Sequence, residues 1–217
     1  MYEMIRSLRH RVLVPVLATV ALALLPGAAA RAQAAPDEFI KNLSTEVLDK
    51  IRQDKDIQAG NTARIAEFVN GTIMPQVNFE RMTSLAVGRA WRSATPEQQK
   101  RLQSEFRTLL LRTYSGALSS VRDQTIRMKP LRADPADSEV IVRSEVVAKR
   151  GDPIQLDYRL EKNGSGWKIY DLNVLGVWLV ETYRNQFAEQ INAKGIDGLI
   201  QSLADKNKAS DSPAKKS

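Results

Sequence analysis

Midway along this 217-residue sequence the spacing of apolar residues changes from every third or fourth position to every second, which commits the chain to an α+β fold. Before the change, Phe39, Ile40, Leu43, Val47, Leu48 and Ile51 predict an amphipathic helix over 36–55. A second helix is expected over 57–71, with Ile65, Phe68 and Val69 on its apolar side. Pro75 interrupts the next stretch, and a short helix over 79–87 should end at Gly88. Thr95-Pro96-Glu97-Gln98 then opens a long helix. Thr95 can cap, Pro96 suits the first helical position, and Gln98 can complete a capping box. Leu102, Phe106, Leu109, Leu110, Tyr114, Ala117 and Leu118 carry its apolar face to about Val121.

After the change, four strands are expected over 125–131, 139–149, 153–162 and 167–177. Gly151-Asp152 and Asn163-Gly164-Ser165-Gly166 are turn signals that make the last three a meander of antiparallel hairpins. Alternation puts Val140, Val142, Val146 and Ala148 on one face, with Ile154, Leu156, Tyr158 and Leu160 of the next strand. Tyr170, Leu172 and Val174 oppose Asp171 and Asn173. The pattern predicts a curved antiparallel sheet of about four strands, covered on one face by several helices. A helix over 178–194, with Leu179, Val180, Tyr183, Phe187 and Ile191 in register, should stop at Gly195. Asp197 then begins a short last helix with Leu199, Ile200 and Leu203, and residues 207–217 form a polar tail expected to be disordered.

The first 34 residues read as a secretory leader. Arg6, Arg9 and Arg11 precede an apolar run over 12–25, and Pro26 to Ala34 offers small-residue cleavage frames between Ala30 and Ala34. The run is shorter than the roughly 20 apolar residues that span a bilayer, although a retained anchor is the competing reading. No cysteine lies near the frames, which excludes a lipoprotein anchor. Residues 1–34 hold four arginines and one glutamate, so the charge falls from +7 to +4 once they are removed. That leaves an ordinary mixed surface and little support for nucleic-acid binding. One domain over 35–206 would remain, expected as a monomer.

The chain has no cysteine, and its one histidine, His10, lies in the leader. Thiol chemistry, the usual zinc sites and histidine-activated nucleophiles are therefore removed from the exported chain. Gly164-Ser165-Gly166 is a turn rather than a phosphate loop, and Ser115-Gly116 lacks the context of a nucleophile elbow. Arg89, Arg92 and Arg101 near Trp91 suit a solvated surface or an acidic partner. No pair of carboxylates stands out as an acid–base couple. What remains is the apolar inventory, which suits either a solid core or the lining of a cavity between sheet and helices. The candidate lining is Leu85, Trp91, Phe106, Leu109, Leu110 and Tyr114 from the helical half; Val140, Val142, Val146, Leu156, Tyr158, Tyr170, Leu172, Val174 and Val177 from the strands; and Phe187 from the closing helix. Tyr114, Tyr158 and Tyr170 favour a cavity, because a buried phenol needs a polar partner and a cavity mouth supplies one.

A series of short motifs resembles the MlaC family of ABC transporter auxiliary proteins, associated with toluene tolerance. They are Ile73-Met74-Pro75 with Asn78-Phe79, Val87-Gly88-Arg89-Ala90-Trp91, Pro96-Glu97-Gln98-Gln99 and Leu110-Leu111-Arg112-Thr113-Tyr114. The second half adds Asp157-Tyr158-Arg159, Gly166-Trp167-Lys168-Ile169-Tyr170-Asp171, Gly176-Val177, Tyr183-Arg184-Asn185-Gln186-Phe187 and Gly195-Ile196-Asp197-Gly198-Leu199-Ile200. The resemblance implies a periplasmic carrier with no cofactor that holds a phospholipid as cargo by its acyl chains. It implies partners too: the periplasmic subunit of an inner-membrane ABC transporter and an outer-membrane lipoprotein–porin complex, with outer-membrane lipid asymmetry as the outcome. A hopanoid or other apolar ligand, a ligand-free periplasmic adaptor, and an enzyme built from carboxylates, Tyr and Lys are the rival readings. Two positions depart from the family pattern: Asn78 stands where Asp is frequent, and Trp178 where Ser is frequent. A tryptophan bordering the cavity would narrow it.

Overall fold

The computed structural model describes residues 34–134, 136–164 and 166–209; residues 1–33 of the expected leader and residues 210–217 of the expected tail lie outside them. Helix α1 (Pro36–Gln53) starts with Pro36, Asp37 and Glu38 and ends with Lys50 and Arg52, so its charges oppose the helix dipole at both ends. The single helix expected over 57–71 is instead three pieces: α2 (Lys55–Gln58), α3 (Thr62–Phe68) and a π-helical turn, Val69–Ile73. The break is local chemistry. Gly60 turns the chain at φ +80°, and the Asn61 side chain accepts the Arg64 N–H at 3.1 Å to start the next helix. A 3-10 turn, Met74–Gln76, carries Pro75 and leads to α4 (Phe79–Val87), which ends at Gly88 with φ +70° as expected. Trp91 lies on the following 3-10 turn, Gly88–Ser93. Helix α5 (Pro96–Ser119) has the full capping box of Thr95 and Gln98.

The sheet is a five-stranded antiparallel meander in sequence order: β1 (Thr125–Met128), β2 (Glu139–Val147), β3 (Ile154–Asn163), β4 (Gly166–Val174) and β5 (Val177–Trp178). The extra strand arises because the expected run over 167–177 folds back on itself. Leu175 at φ +52° and Gly176 at φ +88° make the turn, which returns Val177 to Val174 and Trp178 to Asn173. Beyond β5's short reach, the same edge of β4 is met by Val77, in a parallel bridge to Ile169. Gly195, with φ +71°, interrupts the closing helix at the expected stop and a second helical stretch follows; the two together are α6 (Leu179–Ala209). Residues 207–209, expected in the tail, are therefore helical. Asn207 is buried, and its amide donates to the Glu105 carbonyl at 3.0 Å and carboxylate at 2.8 Å.

Three apolar clusters hold these elements together. The first joins α4, α5 and α6 around Phe106, which meets Tyr183 and Phe187 edge-on at 4.9 and 5.2 Å and Phe79 at 5.7 Å. The second lies between α1 and the sheet and contains Ile40, Val140, Val142, Tyr158, Leu160, Trp167 and Ile169. The third joins α1, α2, α3 and the end of α5 through Ile51, Ile57, Ile65, Phe68 and Val121. Val77 and Leu172 pack against both the first and the second.

Asn78 shows why an amide works at the start of α4. Its Oδ1 accepts the Arg81 N–H at 3.0 Å, while its Nδ2 donates to Glu161 Oε1 at 2.6 Å. Asparate could make the first bond but not the second, and would set two carboxylates against each other. Asn78→Asp should therefore cost roughly 1.5–3 kcal/mol, read as a lower urea midpoint. An unchanged midpoint would mean that the bond to Glu161 contributes nothing.

Candidate functional site

The end of β4, the turn into β5, the start of α6 and one face of α5 enclose a half-open cleft of about 210 Å³. Its walls are Leu109 and Tyr114 from α5, Val174 and Val177 from the sheet, and Leu179, Thr182, Tyr183, Gln186 and Lys206 from α6. Helical spacing puts Leu179, Thr182, Tyr183 and Gln186 on one stripe of α6. Leu109 and Tyr114, five residues apart on α5, both reach the cleft. At the mouth, Val177 is 53% and Leu175 65% exposed, and Ile154 on the neighbouring strand is 44% exposed. The Leu175 N–H donates to the Gln155 carbonyl at 3.0 Å, so these three side chains occupy one end of the sheet.

Of the sixteen residues that the sequence suggested as a cavity lining, Leu109, Tyr114, Val174 and Val177 face this cleft. Leu85, Trp91, Phe106, Leu110 and Phe187 belong to the helical cluster behind it. Val140, Val142, Leu156 and Tyr158 belong to the cluster beneath α1. Leu172 touches both clusters, and Val146 is half-buried between Ile126 and Ile154 on the neighbouring strands. Apart from Val146 and Tyr170, the suggested residues thus divide between the cleft and two clusters that meet in a seam at Val77 and Leu172.

Two of the three tyrosines have partners other than a cavity mouth. The Tyr158 hydroxyl lies 3.4 Å from Ser44 Oγ of α1. Tyr170 is turned away from the expected face by a β-bulge: Leu160 pairs with Ile169 but Arg159 with Asp171, so Tyr170 is the extra residue. Its hydroxyl donates to Glu139 Oε2 at 2.9 Å, and the Arg81 guanidinium stacks 3.8 Å above its ring. Ile154, expected to face inward, is exposed at the end of its strand. Trp178 does not narrow the cleft. Alternation turns it away from Val177, and Arg159 stacks 4.0 Å above its indole while pairing with buried Asp171 at 2.8 Å. Asp171 also accepts the N–H groups of Leu172 and Val180, which fixes the entry into α6 at 2.9 and 3.0 Å. Burial nevertheless pushes its carboxyl above the usual range.

Leu179, Thr182, Tyr183, Gln186 and Lys206 complete the cleft and were not singled out as lining by sequence. The first and third were visible as the apolar face of a helix, but the pattern did not show which part of that face stays open. Burial raises the pKa of both Tyr114 and Tyr183, so their hydroxyls remain protonated donors at neutral pH.

Away from the cleft, Arg81 bridges Glu139, at 2.6 Å, and Glu161, tying α4 to β2 and β3. Hydrogen bonds from Arg81 and Tyr170 hold the Glu139 carboxyl below the ordinary glutamate range, and burial together with Glu139 pushes Tyr170 up to about 12. A carboxylate with a depressed folded-state pKa stabilises the fold above its unfolded pKa and loses that effect as pH falls through the folded one. The stability gap between the parent and Glu139→Gln should therefore be constant near neutrality and close below about pH 4, in urea titrations across that range. A gap that persists in acid would assign the effect to packing. Among the described residues, no group of three acidic or histidine side chains is placed to hold a metal ion.

Comparisons with known proteins converge on one family. The family model described as MlaC protein matches residues 41–205. The chain is 28% identical over 188 residues to the toluene tolerance protein ttg2D of Pseudomonas putida, covering 83% of this chain and 87% of that one. It is 27% identical over 171 residues to the intermembrane phospholipid transport system binding protein MlaC of Haemophilus influenzae, covering 77% and 76%. Among solved structures, it matches a phospholipid-binding protein from Ralstonia solanacearum in complex with a phospholipid, with a TM-score of 0.80 and 44% identity. That match covers 82% of this chain and all of the other.

Proposed function

The chain belongs to the MlaC family, and on that premise we propose that it is a phospholipid carrier of the periplasm, not an enzyme. The observation that carries the reading is the cleft of Leu109, Tyr114, Val174 and Val177, whose Val174 lies two residues along β4 from Leu172, where the helical and sheet clusters meet in a seam. It occurs in a fold that matches a phospholipid complex along that protein's full length. The acyl chains would enter past Val177 and run between α5 and the inner face of β3 and β4, separating the two clusters that meet at Leu172.

At about 210 Å³ the cleft falls short of the roughly 300–1,000 Å³ of pockets that hold drug-sized ligands, so two acyl chains need the seam to open. The energy for this is large. Roughly 30 methylenes taken from water, at ~0.8 kcal/mol each, supply over about 20 kcal/mol of gross transfer free energy. That dwarfs the cost of parting a few side chains, and it means that release needs a partner offering the chains another apolar place. In this reading the partners are the periplasmic part of an inner-membrane ABC transporter and an outer-membrane lipoprotein–porin complex, and lipid moves between the two membranes.

Mixing delipidated protein with phosphatidylethanolamine–phosphatidylglycerol vesicles and then removing the vesicles tests it. Close to one phospholipid should remain with each chain. Protein that stays empty would favour the ligand-free adaptor.

A further inference from the structure

Among the described residues, the large apolar side chains left exposed are Ile154, Leu175 and Val177, at 44%, 65% and 53%. All three stand at the end of the sheet where the cleft opens. Leu175 is held there against its own preference. It and Gly176 are the two residues between β4 and β5, and both have positive φ, +52° and +88°. Two-residue hairpin turns with that backbone favour Asn-Gly, and a left-handed backbone is unfavourable for leucine. The Gly176 N–H donates to Asn173 Oδ1 at 2.9 Å and keeps the turn closed. A leucine disfavoured both by its backbone and by its exposure marks a surface shaped to meet something apolar. We propose that this end of the sheet docks on the surface of an anionic phospholipid bilayer, so that the cleft opens onto the membrane. The proposal rests on the carrier reading and adds to it where the cargo is exchanged.

Charge decides the occupant. The turn from β2 to β3, residues 148–153, leaves the same end of the sheet, because Val146 pairs with Ile154 and the Leu175 N–H reaches the Gln155 carbonyl. This turn is exposed and carries Lys149 and Arg150 against the single carboxylate of Asp152. Among the described residues neither cation is ion-paired, and Glu145, the nearest carboxylate along β2, is held by Lys129 at 2.7 Å. An apolar tip beside uncommitted cations is complementary to an anionic membrane. The headgroups attract the lysine and arginine, and the boundary beneath them admits leucine, isoleucine and valine side chains. The tip is also continuous with the route of the cargo, since Val177 belongs to both the exposed patch and the cleft wall. Acyl chains leaving the cleft past Val177 would therefore enter lipid rather than water.

The test is co-sedimentation of the exported protein with sucrose-filled vesicles, read together with phospholipid per chain. Vesicles of phosphatidylethanolamine and phosphatidylglycerol should hold about tenfold more protein than vesicles of phosphatidylcholine. Leu175→Asn should weaken binding to both about tenfold. Its Tm should be unchanged or higher, because Asn-Gly suits the turn. Lys149→Gln combined with Arg150→Gln should weaken binding to the anionic vesicles about tenfold and leave the neutral ones unaffected. These residues lie outside the cleft, so each variant should hold as much phospholipid per chain as the parent but acquire it from vesicles more slowly. A parent that loads with lipid yet does not sediment with anionic vesicles would overturn the membrane surface, leave the carrier intact and assign this tip to a protein partner. Undiminished sedimentation of Leu175→Asn would overturn it as well, because charge alone would then account for binding. A parent that never acquires lipid would remove the carrier reading, and with it the exchange role given to this surface.

Discussion

Val174→Trp should empty the carrier. Val174 sits at the end of β4, paired with Leu156 on one side and Val177 on the other, and it lines the cleft two residues from Leu172 at the seam. An indole there would occupy much of a cleft of about 210 Å³, and the chains would have to displace it before reaching Leu172. Overfilling a packed site costs roughly 1–3 kcal/mol, and here the cost falls on the loaded state, so lipid retained through purification should drop about tenfold or more. Val174 is only half-buried, so the empty protein should stay folded. Leu109→Trp, on the opposite wall, should act in the same way. Phosphorus per chain measures the loading, and circular dichroism reports the fold. Full loading in both variants would place the route of the chains elsewhere.

The largest expected loss of stability is at Phe106, which packs behind the cleft against Tyr183. This side chain is fully buried, and the rings of Phe79, Tyr183 and Phe187 surround it. Phe106→Ala removes contacts with two other helices, α4 and α6, and leaves a cavity that the aromatic cage cannot close. A cost of about 3–5 kcal/mol follows. For a domain of this size that lowers Tm by roughly 10 °C. The comparison belongs on delipidated protein, because bound lipid stabilises the folded state by mass action and would mask the difference. A shift under about 2 °C would mean that the helices repack around the gap.

Much of the architecture could be read from residue spacing, and the departures have identifiable causes. The capping box at Thr95 and Gln98, the stop at Gly88 and the three hairpinned strands depend on local chemistry, and they appear where the sequence put them. Gly60 with Asn61, and Leu175 with Gly176, divided one expected helix and one expected strand, because a single turn residue outweighs the apolar pattern on either side of it. The tail was misplaced at Asn207 since its partner, Glu105, is a hundred residues away and no local signal announces the pairing.

The site was less legible than the fold. Strand alternation failed at Tyr170 because a bulge adds a residue without changing the composition around it. Helical periodicity placed Tyr183 and Leu179 on an apolar face but could not distinguish a closed face from one that borders a cleft. Fourteen of the sixteen suggested residues, all but Val146 and Tyr170, divide between two clusters and the cleft, a partition set by how α1 and α6 dock on the sheet. Such docking depends on contacts between distant parts of the chain, which one-dimensional spacing does not encode. Trp178 illustrates the same point: its neighbours Val177 and Leu179 both line the cleft, yet its own ring stacks under Arg159 on the other side.

Native mass spectrometry of the protein exported to a bacterial periplasm and purified without detergent tests the carrier reading most directly. The expected spectrum shows the chain carrying one added mass in the range of a two-chain phospholipid, released on activation and identifiable after extraction. A chain of bare mass that also takes up no lipid from vesicles would contradict it.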